Sequence, residues 1–395
     1  MPYDFDKVTN RFSTASAKWD EVGNLFGEDD LLPMWVADMD FVSPDPVIAA
    51  IKQRAGHGIF GYTTIPGSYY EAVIEWMKIR HNWCIKKEWI CYSPGIVPAL
   101  SYIVQSFTHP GDKVVIQSPV YYPFSNVVTD NGREVVHNPL TFEDGRYSMD
   151  FDDLRRKLEP DVKLLILCSP HNPSGRIWTK EELTELGNIC IEHNIIVVSD
   201  EIHCDLILNG KTHTPFAAIS DQFAQNTIVC TAPSKTFNLA GLQTSNVIIP
   251  NTKLRETFQM TMNKLALRRP NTFGIVATES AYRYGQDWLD QLLDYLQRNL
   301  EFLTEYIEEN IKGIKVIKPE ASYLVWLDCR ELGLSNEELQ QFMLKQAKVA
   351  FNQGFTYGPG GEGFIRMNIG CPRSLVEKGL RRMNNALQKL NCITK

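Results

Sequence analysis

The segment Thr231 to Gly241, TAPSKTFNLAG, follows the apolar run Ile228-Val229-Cys230 and carries a single lysine, Lys235, among small residues and hydroxyls. Three other apolar runs lead into residues able to do chemistry. KVVIQ, from Lys113, leads into Ser118-Pro119-Val120-Tyr121; KLLILCS, from Lys163, leads into Pro170-His171-Asn172-Pro173; NIIVVSD, from Asn194, ends at Asp200 and continues as Glu201-Ile202-His203. An amine, a carboxylate, a side-chain amide and an aromatic ring thus follow four runs of strand character. The carboxyl ends of strands are where an open parallel sheet binds its ligands.

Each group answers a chemical need. An amine forms a Schiff base with an aldehyde, and a carboxylate keeps a pyridine nitrogen protonated so that the ring accepts electrons. A side-chain amide donates to a phenolate oxygen, and a flat aromatic covers a ring face. Together these are the needs of a pyridoxal phosphate site. For the phosphate, SPGIVPALSYIVQSF has Pro98 near the first turn of a helix with Leu100, Ile103, Val104 and Phe107 on one face. The backbone N–H groups around Gly95, Ile96 and Val97 would then point at a dianion.

The elements between the runs must position these groups. In TKEELTELGNICIEHN, Thr179 and Glu182 fit a capping box, and Leu183, Leu186, Ile189 and Cys190 mark one helix face. Unbroken apolar strands separated by helices predict an α/β fold, with a mostly parallel sheet covered by helices on both faces. This large domain is expected over residues 45–286. From Asp287, Leu289, Leu292, Leu293, Leu296, Leu300, Leu303 and Ile307 recur at helical spacing, predicting a long helix into a smaller α/β domain. That domain, residues 287–395, has strands in ASYLVWLDC and GFIRMNIG around helical SNEELQQFMLKQA, and residues 1–44 are expected to return to it.

Composition narrows the function classes. The chain has 395 residues, 44% hydrophobic and 22% charged, with a net charge of −7 and no basic run. This balance argues against nucleic acid and anionic membranes as partners. No apolar run approaches the roughly 18 residues of a membrane span, and MPYDFDKV lacks the features of a leader, so a cytoplasmic protein is expected. The nine cysteines form no C-x-x-C and read as buried free thiols. The eight histidines show no H-E-x-x-H or other compact spacing, so no metal site is expected.

Asn172-Pro173 with Gly175, then SDEIH, SKTFNLAGLQ and GFIRMNIG, in that order, resemble the fold-type I pyridoxal phosphate enzymes, the aspartate aminotransferase superfamily, along nearly the whole chain. The opening PMWVADMDF, Pro33 to Phe41, and His203 three residues after Asp200 resemble more narrowly the cystathionine beta-lyase branch of MalY-, PatB- and cystalysin-like carbon–sulfur lyases. The resemblance implies that Lys235 binds pyridoxal 5'-phosphate and then removes the substrate α proton, while Asp200 pairs with the pyridinium nitrogen. Asn172 would donate to the phenolate oxygen beside the substrate. Tyr121 would stack on the ring. Apart from the resemblance, a leaving thiolate needs a proton, which Lys235 or a nearby donor such as Tyr121 could give. Arg366 would clamp the α-carboxylate, with Trp35, Val36 and Ala37 lining the substrate side and offering backbone amides. Tyr62, in FGYTTIPG, would reach the phosphate in the neighbouring subunit of a homodimer.

Two departures from the superfamily pattern point toward the lyase branch. An arginine eight residues after the lysine is replaced by Gln243, so the phosphate must lean on Ser234, the helix N-terminus and Tyr62. A tyrosine three residues after the aspartate is replaced by His203, which would bond the phenolate oxygen, support Asp200 or serve structure alone. The expected activity is α,β-elimination from L-cystathionine, L-cysteine or related S-substituted cysteines. A class I/II aminotransferase is the alternative, and a regulatory protein that binds a transcription factor is a second.

Overall fold

The computed structural model describes residues 3–267 and 269–393. Seven strands form one sheet in the order Ile90–Ser93, Ser245–Ile248, Thr227–Thr231, Ile196–Asp200, Val162–Cys168, Lys113–Ile116, Glu134–His137. Ser245–Ile248 is antiparallel to both its neighbours, and the other pairings are parallel.

Alternate residues of the central strands enter two different cores. Val114, Ile116, Leu164 and Ile166 pack with Ala99, Leu100, Ile103 and Val104 of the helix Ile96–Phe107. Val115, Leu165 and Leu167 pack instead with Leu183, Leu186 and Ile189 of the helix Lys180–Glu192. With helices on both faces, the strands need apolar residues at every position. The second helix opens on the expected capping box, in which Thr179 Oγ1 accepts from the Glu182 N–H and the Glu182 carboxylate accepts from the Thr179 N–H.

Register brings the functional ends together. Cys168, Asp200 and Cys230 are neighbours across three adjacent strands, so the residues that follow leave the sheet side by side. Pro233–Thr236 forms one helical turn, with Pro233 at the first position, where a missing N–H costs no hydrogen bond. Gly175, after Asn172-Pro173-Ser174, has φ 70°, and a Cβ there would lie 2.3 Å from Pro319. Only glycine lets this turn close on the chain behind it.

The C-terminal part contains a four-stranded antiparallel sheet in the order Lys315–Ile317, Leu324–Asp328, Phe364–Asn368, Asn352–Gln353. The helix Gln286–Asn310 buries Leu289, Leu292, Leu296, Leu300, Leu303 and Ile307, and leaves Leu293 half-buried. SNEELQQFMLKQA is helical but changes pitch, from α over Asn336–Gln341 to a π turn over Phe342–Gln346. Phe342, Met343 and Leu344 are all buried there, a wider apolar front than one stripe of a regular helix provides. Leu32–Pro33 pairs in parallel with Val349–Ala350, which returns the N-terminal segment to the C-terminal part. One continuous core joins these elements to the helices Gly67–His81 and Thr272–Tyr284, so packing does not break near 286.

No helix among the described residues is long and apolar enough to cross a membrane. The expectation of buried thiols fails at Cys84, which is exposed between the buried Trp83 and Ile85; the other cysteines with described side chains are buried, and all are free. Alternation along an extended segment turns the middle residue outward.

Candidate active site

A cavity of about 280 Å³ opens at the carboxyl ends of the large sheet. Tyr121, Asn172, Asp200, His203 and Lys235 line it together with Gly95, Ile96, Val97, Ser234 and Gln243. Residues more than a hundred positions apart therefore share one space.

Lys235 projects from its helical turn and donates from Nζ to the carbonyl of Ala37 at 2.7 Å. Burial pushes its amine down to about 8, with the Arg366 guanidinium adding to the shift and Asp38 and Asp200 opposing it. Asp200 is buried at its strand end and accepts from the Ile202 N–H at 3.1 Å. Burial pushes its carboxyl up to about 7, against the pull of that N–H and of the Lys235 charge. A buried carboxylate in this state is stabilised by any cation placed against it. A protonated ring nitrogen is such a cation.

Asn172 shows how the site is braced. Its Oδ1 accepts from Arg366 Nη1 at 3.0 Å, leaving Nδ2 as the donor for a phenolate oxygen, while its carbonyl takes the Tyr121 N–H at 3.1 Å. Burial pushes the Tyr121 hydroxyl up to about 12, so it stays a proton donor across the neutral range. His203 makes its polar contact with Ser322, at 3.1 Å from Nδ1, and burial pushes its imidazole down to about 3. It lines the cavity as a neutral ring held by the C-terminal part.

At the far end the helix Ile96–Phe107 aims its N-terminus at the cavity. Gly95 caps it at φ 155°, a conformation that L side chains rarely adopt, and twelve aligned peptide dipoles favour an anion there. Gln243 adds an amide in place of an arginine. Tyr62 is not part of this chain's own cavity. It is 93% exposed, on the loop before the helix Gly67–His81, with the Arg269 guanidinium 5.5 Å above its ring.

The substrate side is built on Arg366, which is only 3% exposed. Besides Asn172 it donates from Nη2 to the carbonyl of Trp35 at 2.9 Å and to Asn352 Oδ1 at 2.6 Å, and Tyr357 lies under the guanidinium at 5.4 Å. Its Nε is buried with no partner, a donor awaiting an acceptor. The strap Trp35-Val36-Ala37 is held by its carbonyls. Arg366 holds Trp35 O, Asn368 Nδ2 holds Val36 O at 2.6 Å, and Lys235 and the Tyr323 hydroxyl hold Ala37 O. The Trp35 indole packs on Phe26 and donates to Lys18 O, and only Ala37 of the three lines the cavity.

Asn352, Asn368 and Tyr323 escaped the sequence reading. Asn368 had a readable signal, since it lies two residues beyond Arg366 on the same strand face. Asn352 had none, because its place opposite Arg366 depends on strand register.

These residues fit pyridoxal phosphate. An amine of lowered basicity, a buried carboxylate in need of a cation, a free amide donor and a glycine-capped helix N-terminus converge on one cavity. The family model described as aminotransferase class I and II matches residues 30–383. The chain is 52% identical over 384 residues to cystathionine beta-lyase PatB of Bacillus subtilis, covering 97% of this chain and 99% of that protein. It is 33% identical to protein MalY of Escherichia coli, covering 98% and 99%. Cystalysin from Treponema denticola, whose crystal structure contains a pyridoxal 5'-phosphate cofactor, superposes with a TM-score of 0.96 at 38% identity, covering 99% of this chain and 100% of that one. Sheet order, rim chemistry and near-full-length similarity agree, and the chain belongs to the class I and II aminotransferase family of fold-type I, pyridoxal phosphate-dependent enzymes.

Proposed function

We infer that the chain is a carbon–sulfur lyase that cleaves L-cystathionine, L-cysteine or related S-substituted cysteines by α,β-elimination and hydrolysis, consuming one water and giving a thiol, pyruvate and ammonia. The observation that carries this reading is the placement of PMWVADMDF, the segment similar to the lyase branch, directly on Lys235 and Arg366. The identity to a Bacillus protein named cystathionine beta-lyase supports it.

When bound, pyridoxal phosphate supplies a ring that spreads the negative charge developed at the substrate α carbon. The chain supplies the rest. Lys235 would hold the cofactor through its amine and serve as the base that takes the substrate α proton; burial in this cavity already lowers its basicity, to about 8. Asp200 keeps the ring nitrogen charged. Arg366 binds the α-carboxylate with its planar fork, using the Nε that lacks a partner. Tyr121 protonates the departing thiolate.

With L-cystathionine as the sole substrate, homocysteine, pyruvate and ammonia should appear continuously, with no 2-oxo acid added. An aminotransferase would stop after one half-reaction and resume when a 2-oxo acid was supplied. Strict dependence on a 2-oxo acid, with no thiol from any sulfur amino acid, would replace the lyase reading with that one.

The same reading makes the active unit a homodimer, with Tyr62 reaching the phosphate in the partner's cavity. Its exposure on a loop outside its own chain's cavity supports this. Lys235→Ala and Tyr62→Ala proteins, each impaired alone, should on mixing and subunit exchange recover up to about one quarter of wild-type activity, because half the dimers are hybrids with one intact site. No recovery after verified exchange would place Tyr62 in some other role.

A further inference from the structure

Lys235 rides on a helical turn of only four residues, too short to hold its own shape. Its orientation depends on what grips its neighbours. On one side Asn238 donates from Nδ2 to the carbonyls of Met39 and Phe41, at 2.8 and 3.0 Å, and accepts the Met39 N–H at 3.0 Å. On the other, Thr236 Oγ1 donates to Asp205 Oδ2 at 2.7 Å. Asp205 is buried, and its Oδ1 takes the Trp76 indole N–H at 3.0 Å and His81 Nε2 at 2.7 Å. Trp76 and His81 both belong to the helix Gly67–His81. The carboxylate therefore ties a long, well-packed helix to the turn that carries the lysine.

His81, Cys204 and Asp205 also form a group whose ligand atoms lie within 4.8 Å of one another, assembled from positions far apart in the chain. Three donors already occupy the Asp205 oxygens, and each stands at hydrogen-bonding distance. The group is a brace rather than a metal cage.

We infer that Asp205 and Thr236 are a positioning pair that sets the direction in which Lys235 presents its amine to the substrate α carbon. Neither residue lines the cavity, so both act through Lys235. The inference rests on Lys235 being the base. Without the hydroxyl, the turn keeps its packing but loses the one charged anchor on that side, and a displacement of about 1 Å at a reacting group costs up to roughly 10²-fold in rate.

The test is deuterium exchange at the α carbon of L-alanine in D₂O, followed by NMR with the holoenzyme. Alanine has no leaving group on its β carbon, so the readout is independent of carbon–sulfur cleavage. Thr236→Val should slow exchange about ten-fold at saturating alanine while the apparent KM stays within about two-fold. Thr236→Ser, which keeps the hydroxyl, should restore the rate. Asp205→Ala combined with Thr236→Val should be no slower than Asp205→Ala alone, since removing the carboxylate already removes the Thr236 contact along with those to Trp76 and His81. Exchange at the wild-type rate in Thr236→Val, or a serine variant as slow as the valine one, would overturn the inference. Slow exchange rescued by serine, with no thiol released from any sulfur amino acid, would uphold the pair and remove only the lyase reading. No exchange by the wild-type holoenzyme would remove Lys235 as the base, and the pair with it.

Discussion

Replacing Lys235 by alanine should leave a folded chain whose turnover of sulfur amino acids falls by about 10³-fold or more, because covalent hold and proton transfer are lost together. Among the residues that line the cavity, Lys235 is the one amine. The fold should tolerate the change. Burial already disfavours the charged amine, and the bond surrendered, from Nζ to the Ala37 carbonyl at 2.7 Å, is a single contact worth about 1–3 kcal/mol. Two measurements check it. Borohydride should fix the cofactor to a peptide containing Lys235 in the wild type and to none in the variant, and steady-state thiol release should collapse. An alanine variant with full activity would end the assignment.

Asp200→Asn should come next in size, with kcat lower by something on the order of 10²-fold, as for the loss of one preorganised charge at a reacting centre. The neutral amide no longer holds a proton on the ring nitrogen, so the ring draws less charge from the α carbon. A second readout needs no activity. In the cofactor-free chain the Asp200 carboxyl is raised by burial to about 7, well above its unfolded value. Between those values the unfolded state sheds the proton more readily than the folded one, so this group costs stability progressively as pH rises, with the full cost present above about 7. Asp200→Asn should therefore raise the thermal midpoint of the cofactor-free protein, by more at pH 7.5 than at pH 5. Cofactor binding should reverse the comparison, since the cationic ring then rewards the carboxylate. Equal shifts at both pH values would mean that the Asp200 carboxyl is not raised in the folded chain.

Much of the candidate site was legible in the sequence because its main groups sit at the ends of strands. Lys235, Asp200, Asn172 and Tyr121 each follow an apolar run, and a run covered on both faces announces itself without any partner. The capping box at Thr179 and the stripe along Gln286–Asn310 were readable for the same reason, since each is set by neighbours within a turn or two. The one-turn helix under Lys235 and the π turn at Phe342–Gln346 were not, because each answers to what packs against it.

The sequence by itself determined which chemistry is present: an amine, a carboxylate, an amide and an arginine, on a chain patterned to form a parallel sheet under helices. Only the tertiary structure decided what each group faces. It set the strap's carbonyls against Arg366 and Lys235, placed Asn352 beside Arg366, left Tyr62 outside its own chain's cavity, and placed Asp205 behind Thr236. The reason is physical. Local pattern depends on residues within a few positions, whereas strand register and the burial that shifts Lys235 and Asp200 come from segments more than a hundred residues away, whose positions are settled only when the core packs as a whole.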